Sequence, residues 1–318
     1  MGENKIVKKV KHKQSKMNQN FLDKLFKNVT AFFAVIIVAL MIWMVIALII
    51  QSKLSIEKFG FSFITSTDWD PVQNLFGALP FIYGTIVSSI IAVVIATPIS
   101  IGIGLFLTEI SIKWMKTIIA FMVQILASIP SILYGLWGLY IFVPFIREYF
   151  QKPVGSVLGW FPLFSGAPIG LGMLSAGLIL AIMIIPIISA LVVDIIETVP
   201  AELKAGSLAL GSTKWEMIWN VVLPYARQGI LGAVIMGLGR ALGETMAVTM
   251  VIGNRAEIMV SLFAPGHSMA AVIANEFNEA TGAVYYSSLI EIGLLLFLVT
   301  FILNAIARIY IRKISKVY

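Results

Sequence analysis

The sequence contains no cysteine, and its 318 residues include only two histidines. Without cysteine the chain can form no disulfide, carry no thiolate nucleophile and ligate no iron–sulfur cluster. His12 and His267 are distant in the sequence, and no group of histidine and carboxylate residues has the spacing of a zinc site. We therefore predict no metal, no cofactor and no catalytic residue.

Charged residues are also scarce: they make up 12% of the chain, whereas 59% of it is hydrophobic. A soluble domain cannot bury that much apolar surface, but a bilayer removes the requirement. The first apolar run, 31–50, is long enough to cross a hydrocarbon core about 30 Å thick. The sequence thus predicts an all-α integral membrane protein with six transmembrane helices, the other five at 84–107, 117–142, 171–193, 229–252 and 286–307.

The distribution of basic residues predicts the orientation of these spans. The net charge of +7 could by itself suggest nucleic acid, but the basic residues lie in tails and short loops beside apolar runs, so no nucleic-acid partner is expected. With the N-terminus in the cytoplasm, 17 of the 23 Lys and Arg residues are cytoplasmic and five are outside. This excess follows the positive-inside rule. We expect both termini and Lys214 in the cytoplasm, and Asp68, Lys152 and His267 outside.

One predicted span carries a charged pair. Arg240 and Glu244 lie four residues apart in the run 229–252, close to several glycines. If this run is one helix, the pair shares a face and Arg240 lies about 15 Å deep. A charge at that depth costs roughly 2.5–3.5 kcal/mol. Two interpretations stay open: a structural ion pair, or a polar constriction in a path, because a guanidinium offers a planar fork of donors to phosphate or carboxylate oxygens.

A long segment, 194–228, separates the fourth and fifth runs. It mixes helix-forming residues with a glycine break, and predicts one amphipathic helix ending near Gly211 and a second ending before Pro224. By composition alone, this segment is either an interfacial helix or a helix on which a partner docks.

Proline, glycine and aromatic residues mark further features. Three prolines within apolar runs predict helix kinks: Pro98, Pro130 and Pro186. Five glycines predict close helix packing: Gly135, Gly138, Gly229, Gly232 and Gly237. The predicted outside loops, 51–83, 143–170 and 253–285, are rich in aromatic residues and proline, for example Trp69 and Pro71. These loops form either an aromatic belt with turns or a docking surface for an external partner.

The spacing in the segment 194–228 resembles that of a known family. Gly211, nine further residues and then Val221-x-Leu223-Pro224 resemble the EAA loop of ABC importer permeases, although Ala205-Gly206-Ser207 stands in place of Glu-Ala-Ala and Val221 in place of Ile. In that family the loop forms a coupling helix that fits a groove on the ATPase subunit. The resemblance therefore implies a set of ATPase-coupling residues: Glu202, Ala205, Gly206, Ser207, Gly211, Leu223 and Pro224.

A second motif resembles phosphate importers in particular. The run from Gly239 to Val248, Gly-Arg-Ala-Leu-Gly-Glu-Thr-Met-Ala-Val, is similar to PstC-type phosphate permeases, as are Phe76-Gly-Ala-Leu-Pro80 and Gly84-Thr85. The resemblance covers roughly residues 70–310. It implies the type I ABC importer permease fold, a multi-pass position in the cell membrane, and a phosphate path that includes Arg240, Glu244 and Thr245.

The same resemblance implies the partners of the chain. They are a PstA-like sister permease, two copies of a PstB-like ATPase, an extracytoplasmic PstS-like phosphate-binding protein, phosphate itself and the lipid bilayer. Trp69 and Pro71 are candidates for docking the binding protein. The expected domains are a basic cytoplasmic tail (1–28), the first transmembrane helix with its outside loop (29–83), the permease core with the coupling loop 194–228 (84–309), and a second basic cytoplasmic tail (310–318).

Two alternatives remain beside phosphate import by an ABC system. The first is a permease for another oxyanion, such as molybdate or sulfate. The second is a stand-alone channel or secondary transporter, which would explain Arg240 and Glu244 but not the EAA-like loop. The chain is not expected to be an enzyme: Gly206-x4-Gly211-Ser212 lacks the lysine of a P-loop, so ATP would be hydrolysed by a separate subunit.

Overall fold

The computed structural model describes the backbone of residues 3–315 and the side chains of residues 23–309, other than 113, together with residue 311. Most side chains of the predicted basic tails, 1–28 and 310–318, and that of His12 lie outside this described part. The chain forms two compact units, one ending at Gln51 and one beginning at Ser52. The first unit is a single helix, α1 (Glu3–Gln51), which contains the apolar run predicted at 31–50.

The second unit consists of helices, the loops between them and one short hairpin. In it, β1 (Trp69–Asp70) pairs antiparallel with β2 (Leu75–Phe76), with Trp69 opposite Phe76. The helices before α9 are α2 (Lys53–Phe59), α3 (Ser62–Thr65), α4 (Leu79–Leu105), α5 (Lys113–Ser128), α6 (Ser131–Trp137), α7 (Val143–Ile146) and α8 (Lys152–Leu158). The later helices are α9 (Met173–Glu197), α10 (Ala201–Ala209), α11 (Lys214–Met217), α12 (Leu223–Leu242), α13 (Met246–Val251), α14 (Met269–Glu276) and α15 (Ala283–Ser315).

Single turns of π-helix continue α4 at its end and join other helices of this unit. They lie at Phe106–Ile110 after α4, Gly138–Phe142 and Arg147–Gln151 on either side of α7, and Ile218–Val222 between α11 and α12. A short 3-10 helix covers Pro162–Phe164. Because a π-turn inserts an extra residue into the helix, it changes which residues face the core without ending the helix.

Five continuous helical segments in the described part of the chain are long and apolar enough to span a membrane. They are Asp23–Gln51, Leu79–Ile110, Met173–Glu197, Lys214–Leu242 and Ala283–Ile309. A sixth candidate is a bent pair, Trp114–Ser128 with Ser131–Leu158, whose two halves meet at 92°. The predicted all-α membrane fold is therefore confirmed, with five spans, or six if the bent pair counts as one.

Two predicted spans have the wrong form. The run 117–142 is not one helix, because α5 ends at Ser128 and Pro130, which has no N–H to donate, stands at the start of α6. The run 229–252 is displaced: the helix already begins at Lys214 and ends at Leu242. Hydropathy missed both boundaries because it is insensitive to the backbone geometry of proline and glycine.

The core of the second unit is the contact between α4 and α9. Along α4, small residues at every fourth position are buried: Ser88, Ala92, Ala96, Ser100 and Gly104. A Cβ atom on Gly104 would lie 2.4 Å from Val192 Cγ1 of α9, and one on Gly177 would lie 2.5 Å from Ile91 Cγ2. Neither glycine could therefore carry a side chain, and the two backbones approach closely along a stripe of small residues.

The predictions for glycine and proline have mixed outcomes. A Cβ atom on Gly135, Gly138, Gly229 or Gly237 would meet a neighbouring atom within 2.7 Å, which confirms close packing at these four. Gly232 has no such neighbour within 4 Å among the described residues, so the prediction is wrong there. Pro130 marks the sharp bend, whereas Pro98 and Pro186 lie inside α4 and α9, which continue through them.

Candidate functional site

The charged pair lies at a break between two helices. Arg240 occupies the last turn of α12, which ends at Leu242, and α13 begins at Met246. Glu244 lies in the three-residue break, so the prediction that the pair shares one helix face is wrong. The two side chains still meet: Arg240 Nη2 is 3.8 Å from Glu244 Oε2.

Both charges suit the helix ends beside them. The carbonyl end of α12 carries partial negative charge, which favours a cation in its last turn, and the amide end of α13 carries partial positive charge, which favours an anion. Glu244 Oε1 also accepts a hydrogen bond from the Ala247 N–H, at 3.4 Å, so its carboxylate caps α13. The break is thus stabilised by the two residues that give it charge.

The members of the pair differ in exposure. The side chain of Glu244 is 6% exposed, whereas that of Arg240 is 47% exposed. Thr245 stands at the N-cap position of α13, is half-buried, and its hydroxyl lies 3.4 Å from the Gly243 carbonyl oxygen. The structure therefore brings Arg240 and Glu244 together, with the guanidinium as the group that a ligand could reach, while Thr245 is their neighbour in the chain.

A close contact with α6 holds α13 in place. A Cβ atom on Gly135 would lie 2.7 Å from Met250 Sδ and 3.1 Å from the Ala247 Cα atom. Because Gly135 has no side chain, α6 can lie directly against the first turn of α13. The bent pair of helices therefore supports the break from one side.

The predicted coupling helix is present as α10. None of its residues, all of which the structure describes, is buried. Gly211 has a φ of +88°, a left-handed conformation that glycine adopts freely. The predicted helix ending near Gly211 is thus confirmed. The Ser207 and Ser212 hydroxyls lie 2.7 Å apart across this turn.

The second predicted cytoplasmic helix does not end before Pro224. A capping box between Thr213 and Glu216 begins α11, and the chain then passes through the π-turn Ile218–Val222 into α12, with Pro224 in its first turn. Pro224 fits within the continuing helix because the π-turn directly before it widens the backbone at a residue that has no N–H to donate. Leu223 packs on the core, while Pro224 is exposed.

The two docking candidates lie far along the chain from the pair, in the β1–β2 hairpin. Trp69 Nε1 donates a hydrogen bond to Glu276 Oε2, at 2.9 Å, and the ring packs edge-on against Phe81 and Phe76, with centroids 4.8 and 4.9 Å away. Trp69 and Pro71 are each half-buried. These contacts give Trp69 a structural role in the hairpin; a docking role stays a prediction.

His267, predicted to lie outside, is buried against the start of α4. Its ring centroid is 5.2 Å from that of Phe81, and Nδ1 accepts a hydrogen bond from the Ser268 N–H. Burial lowers the pKa of His267 to about 4, so the ring is neutral at physiological pH. A Cβ atom on Gly84 would lie 1.8 Å from the His267 carbonyl oxygen, so this contact requires glycine.

Sequence reasoning missed one buried acid. Glu291 in α15 is 6% exposed and lies within hydrogen-bonding reach of Ser55 in α2, whose hydroxyl is 3.0 Å from that of Ser288. The Oε2 atom of Glu291 has no hydrogen-bond partner in the described part of the chain. The signal was present, because Glu291 is a lone carboxylate within the apolar run 286–307.

Comparison with known proteins agrees with this architecture. A family model described as "Binding-protein-dependent transport system inner membrane component" matches residues 96–316. The chain belongs to this family of inner-membrane transport components.

Individual proteins are also similar to this chain over nearly its full length. "Phosphate transport system permease protein PstC" of Pasteurella multocida is 46% identical over 98% of this chain and 98% of its own length. The protein of the same name from Haemophilus influenzae is 47% identical over 94% of this chain and 96% of its own. Within the family, the chain is therefore one of the PstC permeases.

A solved structure shows the same fold. A chain of the MetNI methionine ABC transporter, in an inward-facing conformation, superposes with a TM-score of 0.56. It covers 78% of this chain and 99% of its own length at 18% identity. At that identity the similarity concerns the fold alone, which is that of an ABC importer permease.

We predict that Glu244→Gln leaves the folded chain stable and that Glu244→Ala does not. Glutamine keeps an oxygen that accepts the Ala247 N–H, whereas alanine removes the cap, which costs about 1 kcal/mol or about 2–4 °C in melting temperature. Thermal unfolding of the purified chain in detergent measures this, with Glu202→Ala, an exposed acid in the first turn of α10, as control. Equal losses for the glutamine and alanine variants would instead show that the charge pairing with Arg240 stabilises the break.

Proposed function

We propose that this chain is the permease subunit of an ATP-driven importer and that, with a sister subunit, it forms the path for inorganic phosphate. The observation that carries the proposal is similarity over nearly the full length to proteins named phosphate transport permeases, at 46% identity. The arrangement around Arg240 supports it, because an accessible guanidinium is suited to an oxyanion. The relatives' names do not favour the alternative of molybdate or sulfate.

In the proposed path, Arg240 binds the phosphate. A half-exposed guanidinium in a span needs water, a polar neighbour or an anion, because a charge exposed to lipid is unfavourable. We therefore place the face of α12 that bears Arg240 on an aqueous path between this chain and a PstA-like sister. Glu244 holds the guanidinium when phosphate is absent, and Thr245 lies beside it as a further hydroxyl donor.

The driving partner in this proposal is an ATPase that docks on α10. Exposed apolar side chains lie on and directly after this helix: Leu203 and Leu208 are 47% and 46% exposed, and Leu210 is 91% exposed. Two copies of a PstB-like ATPase would contact the coupling helices of the two permeases, through residues that here include Glu202, Ala205, Gly206, Ser207 and Gly211. Closure of the ATPase dimer would switch the permeases between outward and inward access.

The outer partner would be a PstS-like phosphate-binding protein. We propose that it docks near Trp69 and Pro71, beside a cavity of about 560 Å³ that Asp68, Asp70 and Glu257 line in part. With the binding protein outside, both termini would be cytoplasmic. The basic tail 1–28 would be followed by the first transmembrane helix and its outside loop, 29–83, the permease core, 84–309, and the second basic tail, 310–318.

The test of transport is uptake of radiolabelled phosphate into liposomes that contain this chain, its sister permease and the ATPase, with the binding protein outside. We expect ATP-dependent uptake, a loss of about tenfold or more in Arg240→Ala, and poor rescue by Arg240→Lys, which lacks the planar fork. Arg255→Ala is the control, because Arg255 is also exposed and lies 2.8 Å from a carboxylate, that of Glu257. Uptake of molybdate or sulfate instead of phosphate, or uptake without the ATPase, would contradict the proposal.

The test of coupling is Gly211→Asp. A side chain at a φ of +88° strains the turn after α10. We therefore expect the variant to insert into the membrane but either to lose association with the ATPase or to stop stimulating ATP hydrolysis. Gly282→Asp is the matched control, because Gly282 also has a positive φ, +100°, and also has no neighbour within 4 Å among the described residues. Normal co-purification and normal ATP-driven uptake in Gly211→Asp would exclude the coupling role.

The test of orientation uses the absence of cysteine. Single cysteines at Asp68, Lys152 and Lys214, all exposed, can be labelled in intact cells with a membrane-impermeant thiol reagent. We expect labelling of Asp68→Cys and Lys152→Cys but not of Lys214→Cys until the cells are permeabilised. Labelling of Lys214→Cys in intact cells would overturn the orientation. His267 is unsuitable as a reporter because it is buried.

A further inference from the structure

The coupling helix α10 is attached to the rest of the permease by a charged side chain. Since none of its residues is buried, apolar packing contributes little to holding it. Lys204, one of its less exposed residues, donates from Nζ to Glu109 Oε1 at 2.5 Å. The Lys204 side chain is 22% exposed and that of Glu109 is 8% exposed, so this ion pair is largely shielded from water.

Glu109 lies where the long helix beginning with α4 ends. It belongs to the π-turn Phe106–Ile110 that continues α4, and the chain becomes extended at Ser111. Its surroundings are fixed: Leu107 is 3% exposed, and the Thr108 hydroxyl donates to the Gly104 carbonyl at 2.9 Å. Gly104 itself lies against Val192 of α9. A force applied to Glu109 therefore acts on the end of α4 and on the α4–α9 core.

A second ion pair nearby provides a contrast. Lys116 of α5 pairs with Glu197 at the end of α9, but these side chains are 40% and 49% exposed. Exposed pairs contribute little to stability because water and salt screen them. Removing one partner of a shielded pair leaves a charge without compensation in a poorly solvated place, so separating Lys204 from Glu109 costs more than separating Lys116 from Glu197.

We propose that the Lys204–Glu109 pair transmits the movement of the coupling helix to α4. The two residues are positioning residues: they touch neither phosphate nor ATP, and they make α10 and the end of α4 move as one body. The proposal rests on the proposed function only in requiring that an ATPase dock on α10. It explains how a helix without buried residues can act on the spans, a role for which packing alone is insufficient.

The first experiment compares neutralised pairs in the assembled, reconstituted importer. We expect Lys204→Met and Glu109→Gln each to lower ATP-driven uptake about tenfold. The stimulation of ATP hydrolysis by the permease should fall by a similar factor, while the isolated ATPase keeps its basal rate. The matched controls, Lys116→Met and Glu197→Gln, should change either value less than about twofold, because that pair is exposed. Wild-type values in Lys204→Met and Glu109→Gln would overturn the proposal.

The second experiment restores the link without its charges. The chain has no cysteine, so Lys204→Cys/Glu109→Cys can be joined by a short, reducible, bifunctional thiol reagent that spans the length of the two lost side chains. We expect low uptake in the reduced protein and recovery of most of the wild-type uptake when the link is closed. An inactive linked protein would show that the two elements must separate, and full activity in the reduced protein would show that no link is needed; either result overturns the proposal.

The charge-exchanged variant Lys204→Glu/Glu109→Lys covers the case in which the single variants do not fold. We expect it to assemble and to recover uptake, because the pair is restored with its polarity reversed. If it assembles but couples no better than the single variants, the two positions act independently and the proposal fails. Failure of the proposed function would be distinct, because the wild-type complex would then show no ATP-dependent phosphate uptake in the same liposomes.

Discussion

In an apolar span, every backbone N–H and C=O group must find its partner within the protein, because lipid offers none. This constraint explains the irregular places in the structure. At the break after α12, the Glu244 carboxylate accepts the Ala247 N–H. At the bend around Pro130, the Tyr134 hydroxyl donates to the Leu126 carbonyl at 2.8 Å. Before Pro224, a π-turn allows the helix to continue past a residue that has no N–H. The break and the bend each have a side-chain partner for the backbone, and the π-turn adapts the helix to Pro224 without ending it.

The same continuity connects the cytoplasmic side to the charged pair. From its capping box at Thr213, the chain is helical through the π-turn to Leu242. At 1.5 Å per residue, this rod is roughly 40 Å long, with Arg240 in its last turn. The rod begins directly after the turn at Gly211, so in the proposed mechanism a movement of α10 would reach Arg240 along one element. The Lys204–Glu109 pair would provide a second connection, to α4, and both α4 and α12 pack against α9. The two proposed connections would therefore act on one core.

Hydropathy and charge were sufficient to predict the existence, the helical type and most positions of the spans, because these depend on the composition of some twenty residues at a time. The helix ending at Gly211 could be predicted because a single glycine dictates a left-handed turn. The ends of the run 229–252 could not be predicted, since Gly243 is neutral in hydropathy and the cap by Glu244 depends on a tertiary arrangement. Glu109 and Lys204 are 95 residues apart, and nothing local in the sequence indicates that they meet. Trp69 shows the opposite case, in which an aromatic residue of a predicted outside loop is engaged in packing.

The difference between Arg240 and Glu244 decides how the pair can work. Glu244 is held by two functions at once, because its Oε1 caps α13 while Oε2 faces the guanidinium. Arg240 is half-exposed and 3.8 Å from that oxygen, a long distance for a charge-assisted hydrogen bond. In the proposed path, an oxyanion would bind the guanidinium without disturbing the cap of α13, because the Glu244 carboxylate that it replaces is also bonded to the Ala247 N–H. When the anion left, the same carboxylate would be in place to pair with Arg240 again. On this proposal the helix break stays intact while only the Arg240 side chain changes its partner.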